Sequence, residues 1–359
     1  MPKKHITRPA VLFLLFAVFG NAHPAIFGLD ERVRFEEATN ADRLGLLYAT
    51  GSISCLDGSH GTGFLVDISD YVERDATLTI VVTSARVLYD GTTGRSRGDC
   101  AFRPASAPGR YLKLGEKLVG STQVGHIDRN DWAFARLGKT FGSLGFGRLK
   151  VERNFDVRAS KKVTAWAAGF VPEWDNVAVS SDCKADSGRS YSSLSRRKDG
   201  LASMLIHDCD TMMEARGGPL AVRANGTFRV VAINAGSSRE GTHKDLYGIP
   251  YDPQKNFFNY SRQFDAELEG KLIAFVSRFA HVKTPSTEIR ERNQLVREIQ
   301  INLNRLGYDS GKEDGLLGEK TRDAIKTFQS TLGISPTGHV SEELLLLLKA
   351  RTGDESIGN

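Results

Sequence analysis

From about residue 45 to residue 236 the apolar positions come in short runs separated by Gly, Asp and Ser clusters. Examples are "GTGFLVDI" (Gly61–Ile68), "LTIVVTSARVL" (Leu78–Leu88), "DWAFARL" (Asp131–Leu137), "KKVTAWAAGF" (Lys161–Phe170) and "TFRVVAINAG" (Thr227–Gly236). Many short Val-, Ile-, Phe- and Thr-rich strands with turn signals between them predict an all-β sandwich or barrel. The spacing then changes. "FDAELEGKLIAFVSRF" (Phe264–Phe279) carries apolar residues at helical intervals and predicts a helix closing this region. "AHVKTPSTEIRERN" (Ala280–Asn293) is polar and unpatterned and reads as a linker.

Beyond the linker the helical period is sustained. Val296, Ile299, Leu303 and Leu306 fall on one face, and Ala324, Ile325, Phe328 and Leu332 on another. "SEELLLLLKA" begins with Ser341 and an acidic first turn, followed by five leucines that are expected in the core, the run being too short for a bilayer. Three short helices with glycines between them make a small all-α module.

The longest apolar run, "VLFLLFAVFG" (Val11–Gly20), follows Lys3, Lys4 and Arg8 and precedes Gly20-Asn21-Ala22. A basic start, a short apolar stretch and a small-residue exit predict a secretory signal peptide, cleaved after Ala22 or after Ala25. Export without a lasting membrane anchor follows, to the periplasm or the extracellular space. The formal charge is +5, of which Lys3, Lys4 and Arg8 supply three, leaving +2. That balance gives no electrostatic case for nucleic acid. Four cysteines in an exported chain suggest two disulfides. Three pairings exist. Neighbouring cysteines fall in separate halves of the β-rich region, so Cys55–Cys100 and Cys183–Cys209 are expected. No C-x-x-C or H-x-x-x-H spacing supports a metal site, and no cofactor is implied.

From Val296 to about Leu347 the chain resembles the peptidoglycan-binding domain found at the ends of many bacterial wall hydrolases. The resemblance rests on Ile299-Gln300, Leu303, Leu306-Gly307-Tyr308, Gly311, Asp314-Gly315, Gly318, Thr321, Ala324-Ile325, Phe328-Gln329, Gly333 and Gly338. It implies peptidoglycan as a partner. Tyr308, Asp314 and Gln329 are the candidate ligand contacts. The alternative is that they serve a turn, a cap and a buried hydrogen bond.

The β-rich region, from about Leu46 to Phe279, resembles the trypsin-like (chymotrypsin-fold) serine peptidases. "GTGFLV" with "IVVTSARVL" matches the strands leading to the catalytic histidine, usually "VTAAHVL". "DWAFARL" matches the strand opening with the triad aspartate, usually "DIALLRL". "GGPLAV" and "VVAINAG" match the strand after the nucleophile and the strand that pairs with substrate. Acyl transfer there needs a hydroxyl nucleophile, an imidazole base, an orienting carboxylate and backbone donors for the oxyanion. Asp131 holds the orienting position. Arg86 holds the base position, and its guanidinium has no acceptor nitrogen. Arg216 stands at the nucleophile, and Glu214 replaces the oxyanion-hole glycine two residues before it. With three functions missing together, the resemblance implies a catalytically degenerate peptidase, a pseudopeptidase.

Substitutes are few. Asp186-Ser187-Gly188 echoes the nucleophile motif but lacks the following Gly-Pro and reads as a surface loop. His60 and His126 could approach Asp131 in space, or could be solvated loop histidines. Asp210, near His207, lies six residues before Arg216, where trypsin-like members keep the specificity-pocket base; it could equally be a turn beside a disulfide. On the family layout Arg86, Asp131, Glu214 and Arg216 converge. They could form a salt-bridge network, Arg86 with Asp131 and Arg216 with Glu214 or Asp131, or a pocket for a carboxylate such as the end of a peptide.

The expected organisation is a signal peptide (1–22), an N-terminal segment (23–44), an all-β chymotrypsin-like double barrel (45–280), a linker (281–293), a small three-helix peptidoglycan-binding-like domain (294–350) and a tail (351–359). The expected function is wall binding with an inactive β domain that binds a protein or peptide or acts as a scaffold. The alternatives are a serine endopeptidase with a non-standard constellation and a peptidoglycan hydrolase. The hydrolase is disfavoured, for want of a zinc-ligand set or a carboxylate pair.

Overall fold

The computed structural model describes residues 25–73, 78–138, 146–152, 155, 163–187, 203–224, 226–238, 250–252, 257–282 and 285–353. The expected signal peptide lies outside the described residues. The chain folds as two compact units: the first ends at Phe279, and the second runs on from Ala280 and also takes in Ser69–Arg74.

The first unit opens with β1 (Val33–Arg34) and α1 (Asn40–Gly45). A first barrel follows: β2 (Thr50–Cys55), β3 (His60–Val66), β4 (Ile80–Thr83), β5 (Cys100–Pro104), β6 (Leu112–Val119) and β7 (Ala133–Leu137). These close in the order β2-β3-β4-β7-β6-β5, with every neighbour antiparallel. Ile53, Leu65, Val81, Phe102, Ala133, Ala135 and Leu137 fill the interior. Phe134, on the opposite face of β7, is equally buried and packs against Phe264 and against Phe275 of α3 (Ala266–Val276), with ring centroids 6.3 and 6.2 Å away. Burial on both faces explains why "AFARL" shows little polar alternation.

The second barrel uses β9 (Val163–Val171), β10 (Asn176–Ser187), β11 (Met204–His207), β12 (Pro219–Ala224), β13 (Thr227–Ser237) and β14 (Asn259–Gln263). They run β10-β11-β14-β13-β12-β9, and the β9–β10 pairing closes the ring. β1 adds to β10, and the short β8 (Lys150–Val151) lies parallel to β13. Small residues, Ala165, Ala167 and Ala185, line this interior with Leu205, Leu220 and Val231. Two closed six-stranded antiparallel barrels are the chymotrypsin-like architecture expected from the sequence. Cys55 is bonded to Cys100, directly opposite it on β5, and Cys183 to Cys209, the expected pairings. Asp186 and Ser187 end strand β10 rather than lying in a loop, because they pair with Ile206 and Leu205.

Thr62 brackets the two barrels. Its N–H donates to the Arg216 carbonyl at 2.8 Å and its hydroxyl to the Glu214 carbonyl at 2.6 Å, while the Phe170 N–H donates to that hydroxyl at 2.8 Å. The N-terminal segment, for which the sequence suggested no role, is tied to the second barrel. The Ala25 N–H donates to Asn259 Oδ1 at 2.7 Å, and Asn259 Nδ2 donates back to the Ala25 carbonyl at 2.8 Å. Cleavage after Ala25, one of the two expected exits, would remove both bonds; cleavage after Ala22 would keep them.

The helices of the second unit are α4 (Pro285–Arg305), α5 (Glu319–Thr331) and α6 (Glu342–Thr352). The stretch 281–293, expected as a linker, is helical from Pro285 onward. Proline suits a first helical position, and no glycine or further proline interrupts the segment after it. Ile299, Leu303, Ile325, Phe328, Leu344 and Leu348 form the core. Only the first and last of the five leucines that run from Leu344 are fully buried; Leu346 and Leu347 are exposed, because one face of α6 meets the core at i, i+4 spacing. The Ser341 hydroxyl caps α6 through the Leu344 N–H, at 3.1 Å. Gly315, at φ +77°, is required twice over: its backbone is left-handed, and a Cβ there would press into the Asn293 carbonyl. No helix among the described residues is long and apolar enough to cross a membrane.

Candidate functional site: a charged cleft in the β unit

The triad positions do converge. Strand β4 ends at Thr83. Ser84 then caps the four-residue helix α2 (Ala85–Leu88), with its hydroxyl 3.2 Å from the Arg86 N–H, so Arg86 is presented on the first turn. The Ser84 hydroxyl also donates to Oδ1 of the fully buried Asp131. The Arg86 guanidinium forks onto Asp131, with Nε and Nη2 at 2.8 and 2.6 Å from Oδ2. The Arg86 N–H adds a contact at 3.2 Å to Oδ1. Asp131 thus orients a guanidinium where the resemblance calls for an imidazole. Burial opposes the charge on Arg86, but Asp131 and then Tyr260 outweigh it and hold the group above its ordinary range. It stays a cation, with no lone pair to accept a proton.

Arg216 reaches the same place from the other side. Its Nε donates to the carbonyl of Ala235 at 3.0 Å, and Arg86 Nη2 donates to that same carbonyl at 3.0 Å and to the Tyr260 hydroxyl at 3.2 Å. Arg216 is buried. That burial, and next the like charge of Arg86, push its guanidinium down to about 10, with Asp131 pulling the other way. Ala235 lies on β13, the strand to which the resemblance assigns substrate pairing, and its acceptor is occupied by two guanidinium groups.

The backbone around Arg216 is engaged as well. Met213–Ala215 form a turn of 3₁₀ helix, and the Arg216 N–H donates to the Met213 carbonyl at 3.2 Å. The resemblance assigns this N–H to an oxyanion. Here it closes a turn, and Glu214 places a carboxylate at the cleft wall. The glycines that follow persist for a different reason. Gly217 has φ +88°, and a Cβ on it would overlap the Thr83 hydroxyl and the Thr62 carbonyl; one on Gly218 would overlap the Ala168 carbonyl. Gly217 is required by the close approach of the first barrel and Gly218 by packing against β9, whatever residue precedes them.

A cleft of about 680 Å³ opens over these groups, lined among others by Ser59, His60, Arg86, Arg97, His126, Glu214 and Arg216. His60, expected in a loop, opens strand β3, and both it and His126 make bonds of their own. His60 Nδ1 lies 3.1 Å from Ser54 Oγ, and His126 Nε2 lies 3.1 Å from the Ser238 carbonyl. His207 is buried in the second barrel, 3.0 Å from Ser261 Oγ, and burial lowers its pKa to about 3. Asp210 is no open pocket floor. Its carboxylate accepts the N–H groups of Phe27 at 2.8 Å and Glu31 at 2.9 Å, so the N-terminal segment covers it. Burial pushes the Asp210 carboxyl up to about 6, against the effect of those two bonds. Sequence reasoning missed Ser84, Ala235 and Tyr260. Ser84, directly ahead of the base position, was the legible one; the carbonyl of Ala235 carries no side-chain signal.

In the helical unit the three candidate contacts all have structural partners. The Tyr308 hydroxyl is 3.1 Å from Thr331 Oγ1, and its ring stands edge-on to Phe328. Asp314 Oδ1 accepts the Leu316 N–H at 2.9 Å. Gln329 Oε1 accepts the Gly338 N–H at 2.9 Å, and its Nε2 donates to Thr337 Oγ1 at 3.1 Å. Residues 292–348 match the family described as "Putative peptidoglycan binding domain". The C-terminal helices carry this domain. No curated protein sequence matches the chain. Among solved structures, the chain is similar to protease Anisep from Arthrobacter nicotinovorans, with 13% identity over 64% of this chain and 96% of that one, at a TM-score of 0.45. It is also similar to the thermostable serine protease AL20 from an extremophilic microorganism, with 14% identity over 64% and 95% of the chains and a TM-score of 0.41. A Glu endopeptidase solved in complex with MPD shares 14% identity over 69% and 99%, at a TM-score of 0.48.

Proposed function

We propose that this is an exported, cell-wall-associated protein that the peptidoglycan-binding domain holds on the wall, and whose β unit is a pseudopeptidase used for binding. The observation that carries the second part is the arginine pair. Arg86 is forked onto Asp131, Arg216 shares the Ala235 carbonyl with it, and the Arg216 N–H is spent on Met213. Base, nucleophile and oxyanion donor are each replaced by a group doing something else, and losing one alone costs orders of magnitude in rate. Two disulfides agree with an oxidising compartment, periplasmic or extracellular. The predicted signal peptide supplies the route.

The test uses the full chain. It is expected to sediment with purified sacculi, to leave casein intact and to escape a fluorophosphonate probe. Labelling of any serine by that probe would establish a working serine endopeptidase instead, and a protein that stays in the supernatant would remove the wall-binding half.

A further inference from the structure

We infer that helix α6 pairs with α6 of a second copy of this chain, antiparallel about a two-fold axis passing between Leu346 and Leu347. The inference is independent of what the β unit does.

Two observations carry it. The first concerns apolar surface. α6 turns Leu344 and Leu348 into the core, and Leu345 packs against that core in part. On its other side Leu346 and Leu347 are 62% and 43% exposed, and Ala350 is exposed beside them. These three share one face, because 346 to 350 is an i, i+4 step and 347 to 350 an i, i+3 step. A helix at the surface of a small module keeps its outer face polar; a helix apolar on both faces is covered on both.

The second observation concerns charge, and it selects the occupant. The first turn of α6 is acidic, with Glu342 and Glu343, and its last turn is basic, with Lys349 and Arg351. A helix of that polarity complements itself when reversed. In the antiparallel pair each leucine of the outer face meets its own counterpart. The small Ala350 lets the helices approach, each acidic turn faces a basic one, and the helix dipoles run opposed. A parallel pair would set like charges side by side. The contact is self-complementary, so it closes at two copies and does not extend to a filament. The patch is small, and the dimer is a weak one, with a Kd of about 10–100 μM. On a wall its effect is avidity, since two linked wall-binding domains leave together more slowly than one.

Sedimentation equilibrium of the full chain, over about 1 to 300 μM, tests this. A reversible monomer–dimer equilibrium is expected. Leu346→Glu sets a charge against its own counterpart across the axis and should weaken the dimer by about tenfold or more. Arg351→Glu should weaken it severalfold, the contact occurring twice, and adding Glu342→Lys and Glu343→Lys to the same chain should restore it. Should Leu346→Glu fail to fold, the charge reversal and its rescue still decide. A monomer at every concentration, a dimer that Leu346→Glu leaves unchanged, or a charge reversal without rescue each overturn the inference. A monomeric wild type whose Leu346→Glu variant is folded but no longer sediments with sacculi overturns it in favour of a face that contacts the wall.

Discussion

The β unit and the helical unit both bury polar side chains, but of different kinds and to different ends. In the helical unit they are neutral. Gln300 Nε2 donates to the Leu316 carbonyl and to Thr321 Oγ1, both at 3.1 Å, and its Oε1 accepts the Gly315 N–H at 2.9 Å. Ser310 and Thr321 complete this net through the Gln300 and Ser310 carbonyls. Each group satisfies backbone that the turn leaves open, and each is enclosed. In the β unit the groups at the cleft are ionisable: Asp131 and Arg216 are buried, and the Arg86 side chain is nearly so. Buried ion pairs add little stability over an apolar replacement, since desolvation offsets their attraction. A neutral amide net is what a fold needs at a turn. Charges set at the wall of a cleft are poor stabilisers and good recognition groups. The same contrast argues that wall binding does not run through Gln300, whose amide is engaged on both sides.

The largest separation of the two units is expected from reduction. All four cysteines lie before residue 280. The bridges span 45 and 26 residues, which in the chain-entropy picture corresponds to about 3–4 kcal/mol each. Calorimetry with and without dithiothreitol should show the β-unit transition falling steeply and the helical transition unmoved. Equal shifts in both would mean that the units do not melt independently, and the comparison would lose its basis.

The two units also differed in how far the sequence revealed them. In the helical unit periodicity located the buried faces, because Ile299, Leu303, Ile325 and Phe328 recur at helical spacing. It misjudged the start of α4, since a polar stretch without apolar period can still be helical when its residues have good propensity. In the β unit three landmarks located the barrels and the meeting of Arg86, Asp131 and Arg216. What stayed hidden was carried by backbone: the Ala235 carbonyl, the Arg216 N–H and the Ala25 contacts to Asn259. Such groups are present in every residue, so only their placement in three dimensions gives them meaning. The Gly-Gly of "ARGGPL" is the instructive case. It marked a nucleophile motif by pattern, yet Gly217 is held by steric fit against Thr62 and Thr83 of the first barrel, and Gly218 by the Ala168 carbonyl of its own.

A smaller effect sharpens the helical side. Gln300→Ala leaves the Gly315 N–H and the Leu316 carbonyl without their partner, and should cost about 1–3 kcal/mol. The helical transition in a thermal scan should fall, the β transition should hold, and sacculus binding should be lost only when the unit melts. Loss of binding in a fully folded Gln300→Ala protein would instead make Gln300 a ligand contact.

The smallest effect probes the β side through pH. Asp210 is pushed up to about 6 from 3.8, so between those values the native state holds a proton that the unfolded chain has released. By linkage the native state binds more protons there, and the contribution of this group to stability falls as pH rises from 3.8 to about 6, then stays level. His207, lowered to about 3 from 6.5, acts in the opposite sense: the unfolded chain binds the extra proton, and stability rises with pH from 3 to 6.5. The two slopes overlap in the wild type, so the informative quantity is its melting temperature minus that of Asp210→Asn. Asparagine keeps one acceptor for the Phe27 or Glu31 N–H and cannot ionise. The difference should be most positive near pH 4, shrink toward pH 6 and change little above it, with the helical transition as an internal reference. A difference that grows with pH would mean that the two N–H bonds dominate over burial, and that the N-terminal segment is held by a carboxylate already charged in acid.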